Sequence, residues 1–495
     1  MTSERLSRFN PYWIALVLFM FVGMGFVYLS THFGAFLSDD SYYYIQPARA
    51  ALQGNGFNPS PYFAPLVPAV LVLLGWFKIE PLSAIRYMNV FLFGFNILLT
   101  WIIIKQTKVS DFFAGFVTLL VLLADVLLEM HGWAMSEALY MTCILAAIVL
   151  LFLYLNHPTT LRLIIAASVM ALACLTRYAA LPAVPVFIIT LLVYDTKHPF
   201  LHRVWRGCIY GAISLAPLSL YFVRNLRLSG LITGYVRFEI PPINLSRLSW
   251  YLYNTLSMFI PGRLIKGHEI LAGILSSVFL IAIIIVYLWL RHKTGSRIGP
   301  IPANIFALIA YVVLNFLMLF IAGGLTGLVA DSPRYLAPIL WAILILIGYF
   351  LDRFWNTGRK LVNYVVAIFC LVFVVYYGVR MYNYLTSTYE TGLGYSNIGW
   401  HTSETVAYLK SQPDIKVVST GEMGIYFWTG KRPAVITAFG GVDGLRQYLC
   451  QSGAYLLIMN QMPVEIYHMN QGEVIQGLTM VKKFNDSSMY QCPQP

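Results

Sequence analysis

The chain has 495 residues, of which 59% are hydrophobic and only 11% charged, with a formal net charge of +12. A soluble domain carries roughly 25% charged residues, and a soluble chain this apolar could not cover its own surface, which leaves a polytopic membrane protein. The positive charge does not point to nucleic acid, because many lysines and arginines fall in short loops between apolar runs, where the positive-inside rule puts them.

Arg5 and Arg8 precede the first apolar run, 11–30, and no small-residue cleavage site is evident. The run therefore reads as an uncleaved anchor with a cytoplasmic N-terminus. A polar, aromatic loop follows through Phe63. The run 64–77 begins Pro65-Leu66-Val67-Pro68 and is short for a span, so it reads as an interfacial or re-entrant helix on the outer face. A span needs roughly 20 apolar residues. The remaining candidates are 83–104, 112–128, 137–155, 161–175, 179–194, 207–223, 269–290, 305–322, 335–351 and 361–377, about eleven with the first. Lys105 and Lys108, the loop from Lys197 to Arg206, Arg291 with Lys293 and Arg297, and Arg353 with Arg359 and Lys360 mark the cytoplasmic turns. The expected architecture over 1–391 is an all-α polytopic membrane bundle in the inner (plasma) membrane, with the C-terminus outside.

From about Gly392 the composition becomes that of a soluble domain, so 392–495 is expected to form a small extracytoplasmic α/β domain. Helices are expected at 402–410 and 443–450, and a short one after Gly421-Glu422-Met423-Gly424. Strands are expected at 415–419, 434–437 and 454–459, arranged as a parallel layer. The glycines after Thr420 lack the full dinucleotide fingerprint, so no nucleotide site is expected. Cys450 and Cys492 lie in this polar part and would pair as a disulfide if it is extracytoplasmic. Cys143, Cys174, Cys208 and Cys370 fall in apolar runs and read as packing residues.

Three outward-facing regions hold polar residues that packing does not explain. The first is Asp39 and Asp40, followed by Tyr42, Tyr43 and Tyr44 and by Gly54-Asn55-Gly56-Phe57. A carboxylate at the mouth of a span is partly desolvated, which raises its basicity, and still reaches a polar substrate. The tyrosines read either as an interface belt or as a stacking platform for a sugar ring. The second is Glu137, at the outer start of a span, read as a snorkelling acid, a second catalytic carboxylate or a ligand for a divalent ion. The third is basic: Arg224, Arg227, Arg237, Arg247, Arg263 and Lys266 in an outer segment, with Arg177 and Arg334 at outer span ends. A long loop is partly exempt from the positive-inside rule, but guanidinium groups are also what an anionic, lipid-linked phosphate needs. Together these residues outline a reaction in which arginines hold a lipid phosphate while a carboxylate deprotonates an attacking hydroxyl, that is, glycosyl transfer from a polyprenyl carrier.

In order along the chain, these motifs resemble the GT-C membrane glycosyltransferases, nearest the protein O-mannosyltransferases and the lipid A aminoarabinose transferases. The resemblance rests on Asp39-Asp40-Ser41-Tyr42-Tyr43, Gly54-Asn55-Gly56-Phe57, Pro65-Leu66-Val67-Pro68, Ser136-Glu137, Leu175-Thr176-Arg177-Tyr178 and Asp331-Ser332-Pro333-Arg334-Tyr335-Leu336-Ala337-Pro338. It implies that Asp39 is the catalytic base, with Asp40 in place of the commoner Glu, and that Arg334 and Tyr335 lie near the donor phosphate. It implies a polyprenyl-phosphate-linked sugar donor, inverting chemistry, and a protein, lipid or glycan acceptor; some relatives bind a divalent metal and others do not. The competing readings are a transporter or flippase for lipid-linked sugar and a non-enzymatic scaffold. A transporter predicts ionisable residues near mid-span and internal repeats, and here the ionisable residues cluster at outer span ends with no convincing repeat.

Overall fold

A computed structural model of the chain describes residues 11–234, 253–260, 301–326 and 333–493. The expected span 269–290, the residues Arg5, Arg8, Arg237, Arg247, Arg263 and Lys266, and the motif positions Asp331 and Ser332 lie outside the described residues. The chain divides into two compact units. One comprises Met1–Leu29 and Pro47–Leu385, the other Ser30–Gln46 and Thr386–Pro495. The short acid- and tyrosine-bearing segment thus belongs with the C-terminal residues rather than with the apolar runs on either side of it.

The first unit is helical. It contains α1 (Pro11–Ser30), α3 (Leu66–Gly75), α4 (Pro81–Gln106), α5 (Asp111–Leu122), α6 (Asp125–Gly132), α7 (Glu137–Asn156), α8 (Thr160–Thr176), α9 (Ala183–Tyr194), α10 (Phe200–Ser229), α11 (Ala303–Thr326) and α12 (Ala337–Trp355). Most of α13 (Lys360–Thr391) belongs here too, while α2 (Asp39–Leu52) passes between the two units. Among the described residues α1, α4, α7, α10, α12 and α13 are long and apolar enough to cross a membrane. The pair α5 and α6, bent by 50°, makes a seventh if it is one span. Eleven full-length spans are therefore not found among the described residues. The runs expected at 161–175 and 179–194 form shorter apolar helices, and a 17-residue helix such as α8 rises only about 26 Å. The ten-residue α3 sits where a short interfacial or re-entrant helix was expected.

Local chemistry explains most boundaries. Pro81 opens α4, and Glu80 caps it by accepting from the Leu82 and Ser83 amides while pairing with Arg49 at 2.6 Å. The segment after α1, expected as a loop through Phe63, contains the 14-residue α2. Asp39 and Asp40 fill its first turn, where carboxylates favour the positive end of the helix dipole, and Ser41 Oγ accepts from the Ser38 amide at 3.0 Å. Pro47 stands inside α2, at the junction between the two units. The last apolar helix runs to Thr391 instead of stopping near Tyr377. Arg380, in this extension, pairs with Asp125 at 2.9 Å and donates to Tyr376 Oη and the Ser257 and Met258 carbonyls.

The second unit carries a five-stranded sheet in the order β2-β1-β3-β5-β4, with β1 (Val417–Ser419), β2 (Ala434–Val435), β3 (Tyr455–Met459), β4 (Thr479–Lys483) and β5 (Ser487–Gln491). The pairs β1–β2 and β1–β3 are parallel, as expected, but β5 runs antiparallel to both β3 and β4, so the layer is mixed. Helices α14 (Glu404–Ser411), α15 (Glu422–Thr429) and α16 (Val442–Ser452) alternate with the strands, and Val418, Leu445, Leu449, Leu456 and Ile458 form the core. Cys450 and Cys492 form a disulfide across a separation of 42 residues, tying α16 to the end of β5. A link of that length stabilises by about 4 kcal/mol in the chain-entropy account. Cys450→Ser is therefore expected to lower the unfolding midpoint of this unit, read by circular dichroism with and without reductant, and reductant should have no further effect on the variant.

Candidate active-site clusters

The sequence candidates divide between two clusters of charged side chains, one in each unit. In the second unit, Asp39 is the first residue of α2 and is exposed. Its Oδ1 accepts a hydrogen bond from Tyr395 Oη at 2.5 Å. Tyr395 is placed by its backbone. Its amide donates to Leu37 O at 2.8 Å, Ser396 Oγ donates to Ala35 O at 2.6 Å, and Trp428 Nε1 donates to Tyr395 O at 2.9 Å. Gly392 allows this turn: it lies at φ +67°, and an added Cβ would come 2.7 Å from Ser396 O.

A second carboxyl group joins Asp39. Glu422 opens α15 and is buried, with Tyr467 Oη 3.5 Å from its Oε2 and Arg432 3.8 Å from its Oε1. Burial, helped by the charge of Asp39, pushes the Glu422 carboxyl above the usual carboxylate range, against the opposing pull of Arg432 and Tyr467. Burial and the neighbouring Asp39 carboxylate likewise push the Tyr395 phenol up, so it stays a donor at any working pH. Arg432 lies 4.7 Å over the Tyr42 ring, which also meets Tyr426 and Tyr43 edge to face. One face of Tyr42 is thus covered by a guanidinium group.

In the first unit the central residue is Glu137, the first residue of α7 and almost completely buried at 1% side-chain exposure. Arg177, at the extended C-cap of α8, pairs with its Oε1, and Arg334, in the short turn Pro333–Tyr335, does so at 2.6 Å. Arg177 Nη1 also donates to Ser136 Oγ at 3.3 Å, and the Arg334 guanidinium lies 5.5 Å over the Tyr335 ring. Among the described residues, two guanidinium groups stand against one carboxylate and leave the cluster positive. A pocket beside it is lined by Tyr140, Arg177, Asn315, Arg334, Tyr335 and Pro338. The two guanidinium groups favour an anion over a cation beside them.

Arg224 and Arg227 do not line that pocket. Arg224 is bound to Asn58 Oδ1 at 2.5 Å and Pro59 O at 3.1 Å, fastening α10 to the 58–59 loop. Arg227 is exposed in the last turn of α10. Glu137, read from the sequence as a snorkelling acid, a second catalytic carboxylate or a cation ligand, is paired here with two arginines. Among the described residues no three His, Cys, Asp or Glu side chains gather as a metal site requires. Tyr395, Glu422 and Arg432 were not singled out by the sequence. Their only local signals are the Gly392–Gly394 turn and the Gly421–Gly424 motif, the latter read for nucleotide and set aside.

No family model matches the chain, and no curated protein matches it. Solved structures do. The chain superposes on ArnT from Cupriavidus metallidurans bound to undecaprenyl phosphate with a TM-score of 0.61 at 13% identity, covering 98% of this chain and 100% of that one. The Archaeoglobus fulgidus oligosaccharyltransferase tethered to an acceptor peptide gives 0.54 at 11% identity, covering 98% of this chain and 74% of that one. The mycobacterial arabinofuranosyltransferase AftD gives 0.55 at 15% identity, covering 100% of this chain and 42% of that one.

Proposed function

This chain is a multi-pass membrane protein with the GT-C fold, and from that premise we propose that it transfers a sugar from a polyprenyl-phosphate carrier to an acceptor hydroxyl at the outer face of the inner membrane. The observation that carries this reading is the positive cluster in which Glu137 holds Arg177 and Arg334 beside a pocket. A lipid-linked phosphate is the anion a polytopic protein meets at such a site, and ArnT, which shares the fold, binds one.

In the proposed reaction Asp39, as carboxylate, takes the proton of the acceptor hydroxyl through the oxygen that Tyr395 does not occupy. The hydroxyl oxygen bonds to the anomeric carbon as the bond from that carbon to the phosphate oxygen breaks. The electron pair leaves with the polyprenyl phosphate. Attack opposite the departing phosphate inverts the anomeric configuration. The exposed Asp39 then returns its proton to water.

Binding of undecaprenyl phosphate to the protein in nanodiscs, measured by native mass spectrometry, tests the donor site. Undecaprenyl phosphate should bind, undecaprenol should not, and Arg334→Ala should weaken binding by roughly ten- to a hundred-fold, as loss of charge-assisted hydrogen bonds worth about 1.5–3 kcal/mol requires. Equal binding of the alcohol and the phosphate would remove the arginines from the donor site.

A further inference from the structure

Asp39 and Asp40 are adjacent in the first turn of α2, so their side chains leave the helix about 100° apart. A single well-placed donor therefore engages one and not the other. We propose that Tyr395 is a positioning residue that makes Asp39, rather than Asp40, the base, by holding Oδ1 so that Oδ2 is presented to the incoming hydroxyl. This rests on the reading of Asp39 as the base of a glycosyl transfer.

The geometry supports a dedicated device rather than a chance contact. Tyr395 is buried at 9% exposure, its ring packed edge-on against Trp400 at 5.4 Å and tilted against Phe427 at 6.2 Å. A buried phenol needs a partner for its hydroxyl, and here it points at a carboxylate on a segment 356 residues earlier. The backbone bonds from Tyr395 to Leu37, from Ser396 to Ala35 and from Trp428 to Tyr395 lock the phenol and the start of α2 in one frame. The groups acting on the Tyr395 phenol are Asp39, Glu422 and Tyr467, and Arg432 acts in turn on Glu422. Both carboxylates disfavour ionisation of Tyr395, so it donates to Asp39 throughout the working range.

The assay is transfer of radiolabelled sugar from lipid-linked donors to endogenous acceptor in membrane vesicles containing the full chain, with the rate expressed per inserted molecule. Tyr395→Phe, which keeps the ring, is expected to lower kcat at least ten-fold with an unchanged KM for donor, as loss of a charge-assisted hydrogen bond requires. A purely structural role would reduce the amount of folded protein without changing kcat per inserted molecule. If Tyr395→Phe fails to insert, 3-fluorotyrosine at position 395, whose more acidic phenol donates more strongly, replaces it and should change kcat with an unchanged KM for donor. A wild-type kcat in Tyr395→Phe, or in the fluorotyrosine protein, would overturn the proposal. Asp39→Asn run alongside separates the two failures: full activity there removes the base assignment itself, whereas an inactive Asp39→Asn beside an unaltered Tyr395 variant removes only the role of Tyr395.

Discussion

Asp39→Asn is expected to lower sugar transfer by about 10²–10⁴-fold, the contribution of a positioned general base, while insertion and thermal stability stay close to wild type. The amide keeps the shape of the carboxylate and can still accept from Tyr395 through its oxygen. It cannot take the proton of the attacking hydroxyl. Asp39 is exposed, so the substitution leaves no buried charge without a partner. Asp40→Asn should cost far less, because Tyr395 is bonded to its neighbour. The measurement is the transfer rate per inserted molecule, with protein quantified by immunoblot. A rate within two- or three-fold of wild type for Asp39→Asn would exclude that carboxylate as the base.

The second large effect is expected at Glu137, and it is of a different kind. Here the substitution Glu137→Gln removes the carboxylate that both guanidinium groups pair with, at a position with 1% exposure. Breaking a buried ion pair by deleting one partner costs about 3–5 kcal/mol. Glu137→Gln should therefore lower the thermal midpoint in detergent strongly. Undecaprenyl phosphate should restore part of the loss, since its phosphate supplies the missing negative charge beside the arginines. Undecaprenol should restore none. A midpoint unchanged from wild type would mean that the arginines are held by other contacts and that Glu137 is not their anchor.

Long apolar runs were the legible part of the fold. The helices α1, α4 and α7 begin and end within a few residues of the runs 11–30, 83–104 and 137–155, because nothing but length and apolarity decides them. Where a charge interrupts such a run, the sequence misleads. The expected span 361–377 stops short of Arg380, yet the partner of that residue, Asp125, lies 255 residues away and removes the cost of continuing the helix. In α2 the tyrosine cluster obscured a helix whose start was nonetheless written in Asp39, Asp40 and Ser41. The strand β4 was missed because it is short and exposed along its whole length, so it shows no buried face.

The candidate site was legible to the extent that it lies in local motifs. Leu175-Thr176-Arg177-Tyr178, Ser136-Glu137 and Pro333-Arg334-Tyr335 each drew attention to a residue, and the structure brings Glu137, Arg177 and Arg334 together. What no motif carries is the pairing itself. Glu137 looked like an acid in search of a cation or a proton because its two partners come from distant turns. Nothing in the sequence shows that Asn58 and Pro59 engage Arg224. Tyr395 drew no notice because its function is defined by a contact across 356 residues.

The account stands or falls on whether the sugar leaves its lipid. Vesicles carrying a radiolabelled polyprenyl-phosphate sugar, with the protein present or absent, allow both fates of the label to be followed at once. The account predicts that label passes to a lipid-free or newly glycosylated acceptor while unglycosylated polyprenyl phosphate accumulates in equal amount, and that Asp39→Asn stops both. Label that changes leaflet while staying on its intact lipid carrier, at a rate indifferent to Asp39, would contradict it and show a flippase built on the same fold.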